Sequence, residues 1–324
     1  MEREMIMRTR VNSAGDCVNG WVRRDFLKTV AVGTALGVGA LARAAEQRVP
    51  VVDTHVHCFA GGSEARFPYH PQGPYRPEKA SPPELLLQRM DGAGVDFAVI
   101  VHPEPYQDDH RFLERCFEVG GKRLKGTCLF FAGRSGSIPA MQALVKRNPG
   151  RVVTARIHAY QADRLPPFGK PELRELWRAA AELGLGVQLH FEPRFGIGFE
   201  PLIKEFAKTT VVIDPLGRPF QATREEHAAI VRWARFPNTV MKISSLPPPE
   251  EQPVEKVAAV IRELAGAFGA DRMIYGGGFD ENATAESYRA YRERTRGLLA
   301  GLSAAEQGKV LGGTAARVFG FGAA

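Results

Sequence analysis

The chain has 324 residues, 44% hydrophobic and 24% charged, with 43 Lys/Arg against 36 Asp/Glu and a net charge of +7. This ordinary globular balance excludes a wholly disordered chain, a collagen and a coiled coil. No uninterrupted run of about 18 strongly apolar residues occurs, which excludes a multi-span helical membrane protein.

Residues 1–44 read as a leader. Arg23-Arg24-Asp25-Phe26-Leu27-Lys28 precedes a weakly apolar Ala/Gly-rich run, Thr29–Leu41, and Ala42-Arg43-Ala44 has the small-x-small form of a cleavage site. The pattern is that of a twin-arginine export signal. It predicts passage through the twin-arginine machinery to the periplasm or cell envelope of a bacterium. The competing reading is an N-terminal helix with two surface arginines, and Met5 or Met7 is an alternative start. Cleavage after Ala44 leaves one domain, residues 45–324, with a net charge near +4. That length suits one α/β barrel. No Lys/Arg block with interleaved aromatics is present, so no nucleic-acid partner is expected. The mildly basic balance suits a small anionic substrate. Three cysteines remain, Cys58, Cys116 and Cys128. They match no zinc spacing, cannot all pair, and read as buried small apolar groups, although Cys58 directly follows a histidine motif.

Short β-branched runs then alternate with helical segments. The predicted strands are Val49–Val56, Phe97–His102, Leu124–Phe131, Val152–His158, Gly186–Phe191, Thr210–Asp214, Thr239–Ile243 and Arg272–Tyr275. Several are continuously apolar, as strands covered on both faces of a parallel sheet must be. Capping boxes are expected at Ser81-Pro82-Pro83-Glu84, Thr223–Glu226 and Ser303–Glu306. Lys170–Leu183 and Val254–Phe268 have the spacing of amphipathic helices, stopped at Gly184 and Gly269. Eight βα units predict an α/β fold, a (β/α)8 TIM barrel. A doubly wound sheet is the alternative, but no G-x-G-x-x-G follows the first strand. The Pro- and Gly-rich loop Phe59–Lys79 would lie over the mouth of such a barrel.

The chemistry-bearing residues gather at predicted strand ends. In Asp53-Thr54-His55-Val56-His57, alternation puts His55 and His57 on one side, about 7 Å apart along the strand. Two such imidazoles bind a metal or hold a substrate oxygen; the competing reading is two hydrogen-bonded core histidines. His190 ends strand five and is a candidate third ligand or a rim histidine. Arg156 and His158 share a face at the end of strand four. Arg156 is a candidate carboxylate or carbonyl binder, with an ion pair inside the barrel as the alternative. Lys242 either stabilises an oxyanion or pairs with Asp53 or Asp214. His102, after strand two, is a further candidate for substrate contact. His70, His110 and His227 read as surface or helix residues.

The ordered set of motifs carries a resemblance. Besides D-x-H-x-H, the chain has Tyr106-Gln107-Asp108-Asp109-His110-Arg111 after strand two and Val212-Ile213-Asp214-Pro215-Leu216-Gly217-Arg218-Pro219 at strand six. Pro237–Ser244 forms strand seven, Arg272-Met273-Ile274-Tyr275-Gly276 strand eight, and Leu311–Gly320 the close. Over residues 49–321 this resembles the amidohydrolase superfamily, in the amidohydrolase-related branch that includes sugar and pyrone-dicarboxylate lactonases. The resemblance implies a hydrolase that opens a lactone or related cyclic ester by water attack on a carbonyl. With that reaction in view, His55, His57, His190 and Asp280 are the catalytic candidates, and Arg156, His158, Lys242 and His102 the substrate-binding candidates. If a divalent metal such as Zn or Mn binds, His55, His57 and His190 are its expected ligands, completed by water or Asp280. No organic cofactor is expected, and assembly as a homo-oligomer is left open.

Two departures accompany it. The family's strand-six histidine falls at Pro215 and its strand-eight aspartate at Gly278, and neither residue can take a proton or bind a metal. Asp280, two residues on, is the candidate substitute. A barrel that has lost hydrolysis and binds a ligand or serves a structural role is therefore the second reading. A non-oxidative decarboxylase is a third.

Overall fold

The computed structural model describes residues 48–160 and 162–322; the leader expected over residues 1–44 lies outside them. Eight strands form one sheet in sequence order: β1 Val52–Val56, β2 Phe97–Ile100, β3 Leu124–Leu129, β4 Val152–Ala159, β5 Gly186–Phe191, β6 Val211–Asp214, β7 Thr239–Ile243 and β8 Met273–Tyr275. Every neighbouring pair along that order is parallel. Side chains draw β8 back to β1: Thr54 Oγ1 donates to Tyr275 O and the Gly277 N–H donates to Asp53 Oδ1, both at 2.7 Å. The predicted (β/α)8 barrel is thus the fold, and the eight predicted strands are its staves, with bounds shifted by a few residues at most.

The strands read as continuous apolar runs because both of their faces are covered. Outside, a large apolar cluster fills the space between sheet and helices. At the N-terminal end of the barrel, Val52, Phe97, Val99, Val212, Val240 and Ile274 meet Phe319 and Phe321 of the closing segment. Phe97 and Phe321 stack with ring centres 4.9 Å apart. The candidate site residues gather at the opposite end, where the strands finish.

Helix boundaries follow local chemistry. Pro171–Glu182 and Val254–Phe268 bury the faces their spacing predicts. The capping boxes at Thr223 and Ser303 form as expected. The one expected at Ser81 does not. Ser81 exchanges both backbone hydrogen bonds with Phe59 in an isolated bridge, at 2.9 and 3.1 Å, so the helix starts later, at Pro83, with Pro82 as its N-cap. A fourth box, Thr284 with Ser287, precedes Ala285–Leu298.

Thr223 offers a clean measurement. Its Oγ1 accepts the Glu226 N–H at 3.2 Å, and Glu226 Oε2 accepts the Thr223 N–H at 2.8 Å. Thr223 is exposed, so Thr223→Ala should lower unfolding free energy by about 1 kcal/mol, read in urea.

Gly312 matters for a different reason. It lies in the π-helical turn Lys309–Gly313, packed against the lead-in to β1. A Cβ there would stand 1.7 Å from Pro50 O and 2.9 Å from Val52 N.

Candidate active site

The C-terminal ends of the strands converge on Asp214, the last residue of β6, which is fully buried. Its Oδ1 accepts from Ser244 Oγ of the segment after β7 at 2.9 Å and lies 3.1 Å from His55 Nδ1. Its Oδ2 accepts from Gln188 Nε2 at 2.9 Å and Arg156 Nη2 at 3.2 Å. Lys242 Nζ stands 4.0 Å from Oδ1 and donates to Thr54 O at 2.8 Å. Burial alone would raise the carboxyl pKa. His55, Lys242 and Arg156 reverse that and hold it well below the usual carboxylate range, as nearby positive groups and donated hydrogen bonds do. Lys242 is pulled down to about 8 by its own burial, with Asp214 opposing. Of the roles expected for Lys242, pairing with Asp214 is the one its geometry displays.

His55 and His57 lean on two fixed acceptors. His55 Nδ1 faces the Asp214 carboxylate, and His57 Nδ1 lies 2.7 Å from Val101 O. A carboxylate and a carbonyl only accept, so both Nδ1 atoms carry hydrogen and both Nε2 atoms present lone pairs. Those two Nε2 atoms lie 3.2 Å apart. Burial lowers the pKa of both rings, His57 well below the usual value, so two neutral acceptors face each other. A cation relieves that arrangement. Zinc holds imidazole nitrogens at about 2.0–2.1 Å in tetrahedral geometry, which sets two such nitrogens roughly 3.3 Å apart. The carboxylate and carbonyl behind the rings are the partners that metal-bound histidines usually have. The pair therefore fits two corners of a tetrahedral site. No group of three or more His, Cys, Asp or Glu residues among the described residues completes it.

Asp53, two residues before His55, holds the closure of the barrel. Its carboxylate accepts from the His55 N–H at 2.8 Å, the Gly277 N–H at 2.7 Å and Tyr288 OH at 2.6 Å. Burial pushes its pKa up to about 6 against those hydrogen bonds.

Recesses open around the strand ends. One of about 570 Å³ is lined by His55, His57, Gly278 and Asp280. Asp280 is exposed, and its Oδ1 accepts the Asn282 N–H at 2.7 Å in a local turn. The carboxylate within reach of His55 is Asp214, not Asp280. A second recess, about 400 Å³, is lined by Glu104, Arg134, Arg156, His158, Tyr160 and Arg164 among others. There His158 Nδ1 lies 3.0 Å from Glu104 Oε1, Arg164 Nη2 donates to the same oxygen at 2.8 Å, and Tyr160 OH donates to Oε2. Burial opposes ionisation of Glu104, but these partners bring its pKa down to about 2. A third recess, about 370 Å³, holds His190, Pro215 and Arg218. His190 Nδ1 is buried without a hydrogen-bonding partner, as is Arg156 Nε. His190 thus shares an edge-on contact with His158, ring centres 5.3 Å apart, rather than joining His55 and His57 in a ligating group.

His102 is part of the wall. It is buried, its Nε2 lies 2.9 Å from Gln107 O, and it stacks on His110 at 4.2 Å. His110, expected as a surface or helix residue, caps the start of the helix Arg111–Gly120 and is buried: its Nε2 accepts the Leu129 N–H at 3.0 Å and its ring stacks on Phe130. The loop after β1 does reach the mouth. Phe59 lies 6.1 Å from His57 and Tyr75 6.4 Å from Phe59, ring centre to ring centre.

The amidohydrolase family profile matches residues 52–321, most of the chain. The chain belongs to the amidohydrolase family. Among curated proteins, this amidohydrolase is 32% identical over 204 residues to the 2-pyrone-4,6-dicarboxylate hydrolase of Comamonas testosteroni, covering 60% of this chain and 62% of that one. It is 30% identical over 167 residues to the 4-sulfomuconolactone hydrolase of Rhizobium radiobacter, covering 51% and 52%. The matches span less than two thirds of either relative. Among solved structures, one assigned as a 2-pyrone-4,6-dicarboxylic acid hydrolase from Pseudomonas putida superposes with a TM-score of 0.67 at 22% identity, over 84% of this chain and 98% of that chain. A zinc-bound amidohydrolase from Burkholderia multivorans gives 0.65 at 17% identity, over 84% and 100%. At these identities the solved structures establish the fold that the amidohydrolase site is built on.

Proposed function

We propose that this amidohydrolase opens an anionic lactone by water attack on the ring carbonyl. The observation that carries the reading is the His55–His57 pair, its two Nε2 atoms 3.2 Å apart at the barrel mouth and backed by Asp214. Such a pair positions an electrophile or a water. Two arginines supply anion recognition. Arg156 lines the 400 Å³ recess with an unpartnered Nε. Arg218 is half-buried beside His190 and makes no ion pair among the described residues. The curated relatives, named as hydrolases of a pyrone dicarboxylate and a sulfomuconolactone, support a lactone bearing an anionic group as the substrate class. Where zinc or manganese is bound, His55 and His57 would hold it and it would polarise the carbonyl. The expected leader makes this an exported enzyme.

The test is a panel of carboxylated, sulfonated and sugar lactones, including 2-pyrone-4,6-dicarboxylate, with and without added Zn²⁺ or Mn²⁺. Turnover of at least one anionic lactone is expected. His55→Ala should reduce it by about 100-fold or more. Tight binding without turnover would instead establish a ligand-binding barrel, the reading that the Gly278 and Pro215 positions favour.

A further inference from the structure

We propose that His158, oriented by Glu104, is the general base of the hydrolysis, an inference that rests on the lactonase reading above. The other candidates around the mouth are ill-suited to accept a proton from water. Pro215 and Gly278 have no acceptor. Asp214 is surrounded by His55, Arg156, Gln188, Ser244 and Lys242. The Nε2 atoms of His55 and His57 face each other, and Asp280 is exposed in its own turn.

His158 differs in each respect. It sits two residues beyond Arg156 on β4, so its side chain leaves the same face of the strand. Its Nδ1 lies 3.0 Å from a Glu104 carboxylate oxygen, in a charge contact not aligned as a hydrogen bond; a carboxylate can only accept, so the contact favours the proton on Nδ1. Its Nε2 is left as a buried acceptor with no protein partner. Glu104 is fixed in turn by Tyr160 OH and Arg164. Both Glu104 and His158 line the same recess as Arg156. The groups facing His158 are Glu104 from the turn after β2, Arg156 and Tyr160 on or after its own strand, Arg164 beyond it, and His190 on β5. A carboxylate that holds one imidazole nitrogen while the other takes a proton is a recurring catalytic device.

The step balances without a further reactant. As the water oxygen bonds to the lactone carbonyl carbon, one water proton passes to His158 Nε2. Collapse of the tetrahedral intermediate breaks the bond from that carbon to the ring oxygen. The departing oxygen takes the proton back from Nε2. The products are a hydroxyl and a carboxylic acid, which releases its proton to solvent, and His158 is again neutral. Glu104 touches no reacting atom and is a positioning residue.

Two measurements test this. First, the histidine ring nitrogens of the folded protein are followed by ¹⁵N NMR, with His158 assigned from His158→Ala. Hydrogen on Nδ1 is expected, with loss of that preference in Glu104→Gln. Hydrogen on Nε2 in the wild type would overturn the proposal. Second, kinetics are run on the lactones that the wild type turns over. His158→Ala should lower kcat by about 100-fold or more with KM changed by no more than about threefold, and added imidazole should restore part of kcat. The isosteric Glu104→Gln should lower kcat by about 10-fold, and it keeps the test alive should His158→Ala fail to fold. Wild-type turnover with kcat unaffected in both variants defeats this proposal alone. Absence of wild-type turnover on the whole panel defeats the lactonase reading and this inference with it.

Discussion

Asp214→Asn should abolish detectable lactone turnover and lower Tm by roughly 10 °C. The substitution keeps the side chain's volume but removes the charge that His55, Arg156 and Lys242 surround. It also forces an amide NH₂ toward groups that are already donors. Removing one partner of a buried ion pair typically costs about 3–5 kcal/mol, because the other charge remains buried and uncompensated. For a chain of this size each kcal/mol is worth roughly 2–4 °C. The catalytic loss follows from His55: without a carboxylate at Nδ1, nothing fixes its tautomer or aims its Nε2 at His57. The pH dependence gives an independent check. Asp214 is held below its unfolded value, so its contribution is fully present above about pH 4 and fades as the solution becomes more acid. The stability gap between wild type and Asp214→Asn should therefore be flat near neutrality and close below about pH 4. A gap that widened on acidification would show that the carboxylate is not the stabilised form.

Gly312→Ala should unfold the protein or cost roughly 3 kcal/mol or more, measured by denaturant titration. The obstacle is backbone on both sides, Pro50 O at 1.7 Å and Val52 N at 2.9 Å from the new carbon, so no side-chain rotation can relieve it. The displaced segment is the lead-in to β1, which carries Asp53, His55 and His57. Any folded fraction of the variant should also lose activity beyond its loss of stability. Wild-type Tm and kcat in Gly312→Ala would show that this close packing is not needed. Gly308→Ala is the matched control in the same segment, since a carbon there meets Val49 only at 3.9 Å.

The fold was legible because a barrel buried on both faces writes its strands as apolar runs, and the runs from Val52 to Tyr275 stand out between helix signals. Local chemistry was legible where one pattern acted alone, as at Thr223 and Ser303. It failed at Ser81, where the backbone bridge to Phe59 claimed the residue first, and at Thr284, where serine stands in for the usual Glu or Gln. The centre of the site was less visible. The comparison of motifs drew attention to Pro215, yet the residue that organises the mouth is its neighbour Asp214. An aspartate closing the otherwise apolar run Val211-Val212-Ile213 was the available signal, since a charge so placed must find partners. Glu104 carried a fainter one, an acid just after β2 between two prolines. Its pairing with His158 joins positions 54 residues apart, and such a contact leaves no trace in local spacing. His55 and His57 share a side as alternation requires, but ring orientation brought their nitrogens far closer than the backbone spacing suggested.

The aromatic and aliphatic packing of Phe97, Phe319 and Phe321 at the base has a consequence for traffic. It makes the barrel a blind well. Substrate, water and product would then all pass through the end of the barrel where the strands finish, near the two arginines that would draw an anion in. On the proposed lactonase reading, ring opening adds a carboxylate, so the product would carry one more negative charge than the substrate, against the same arginines.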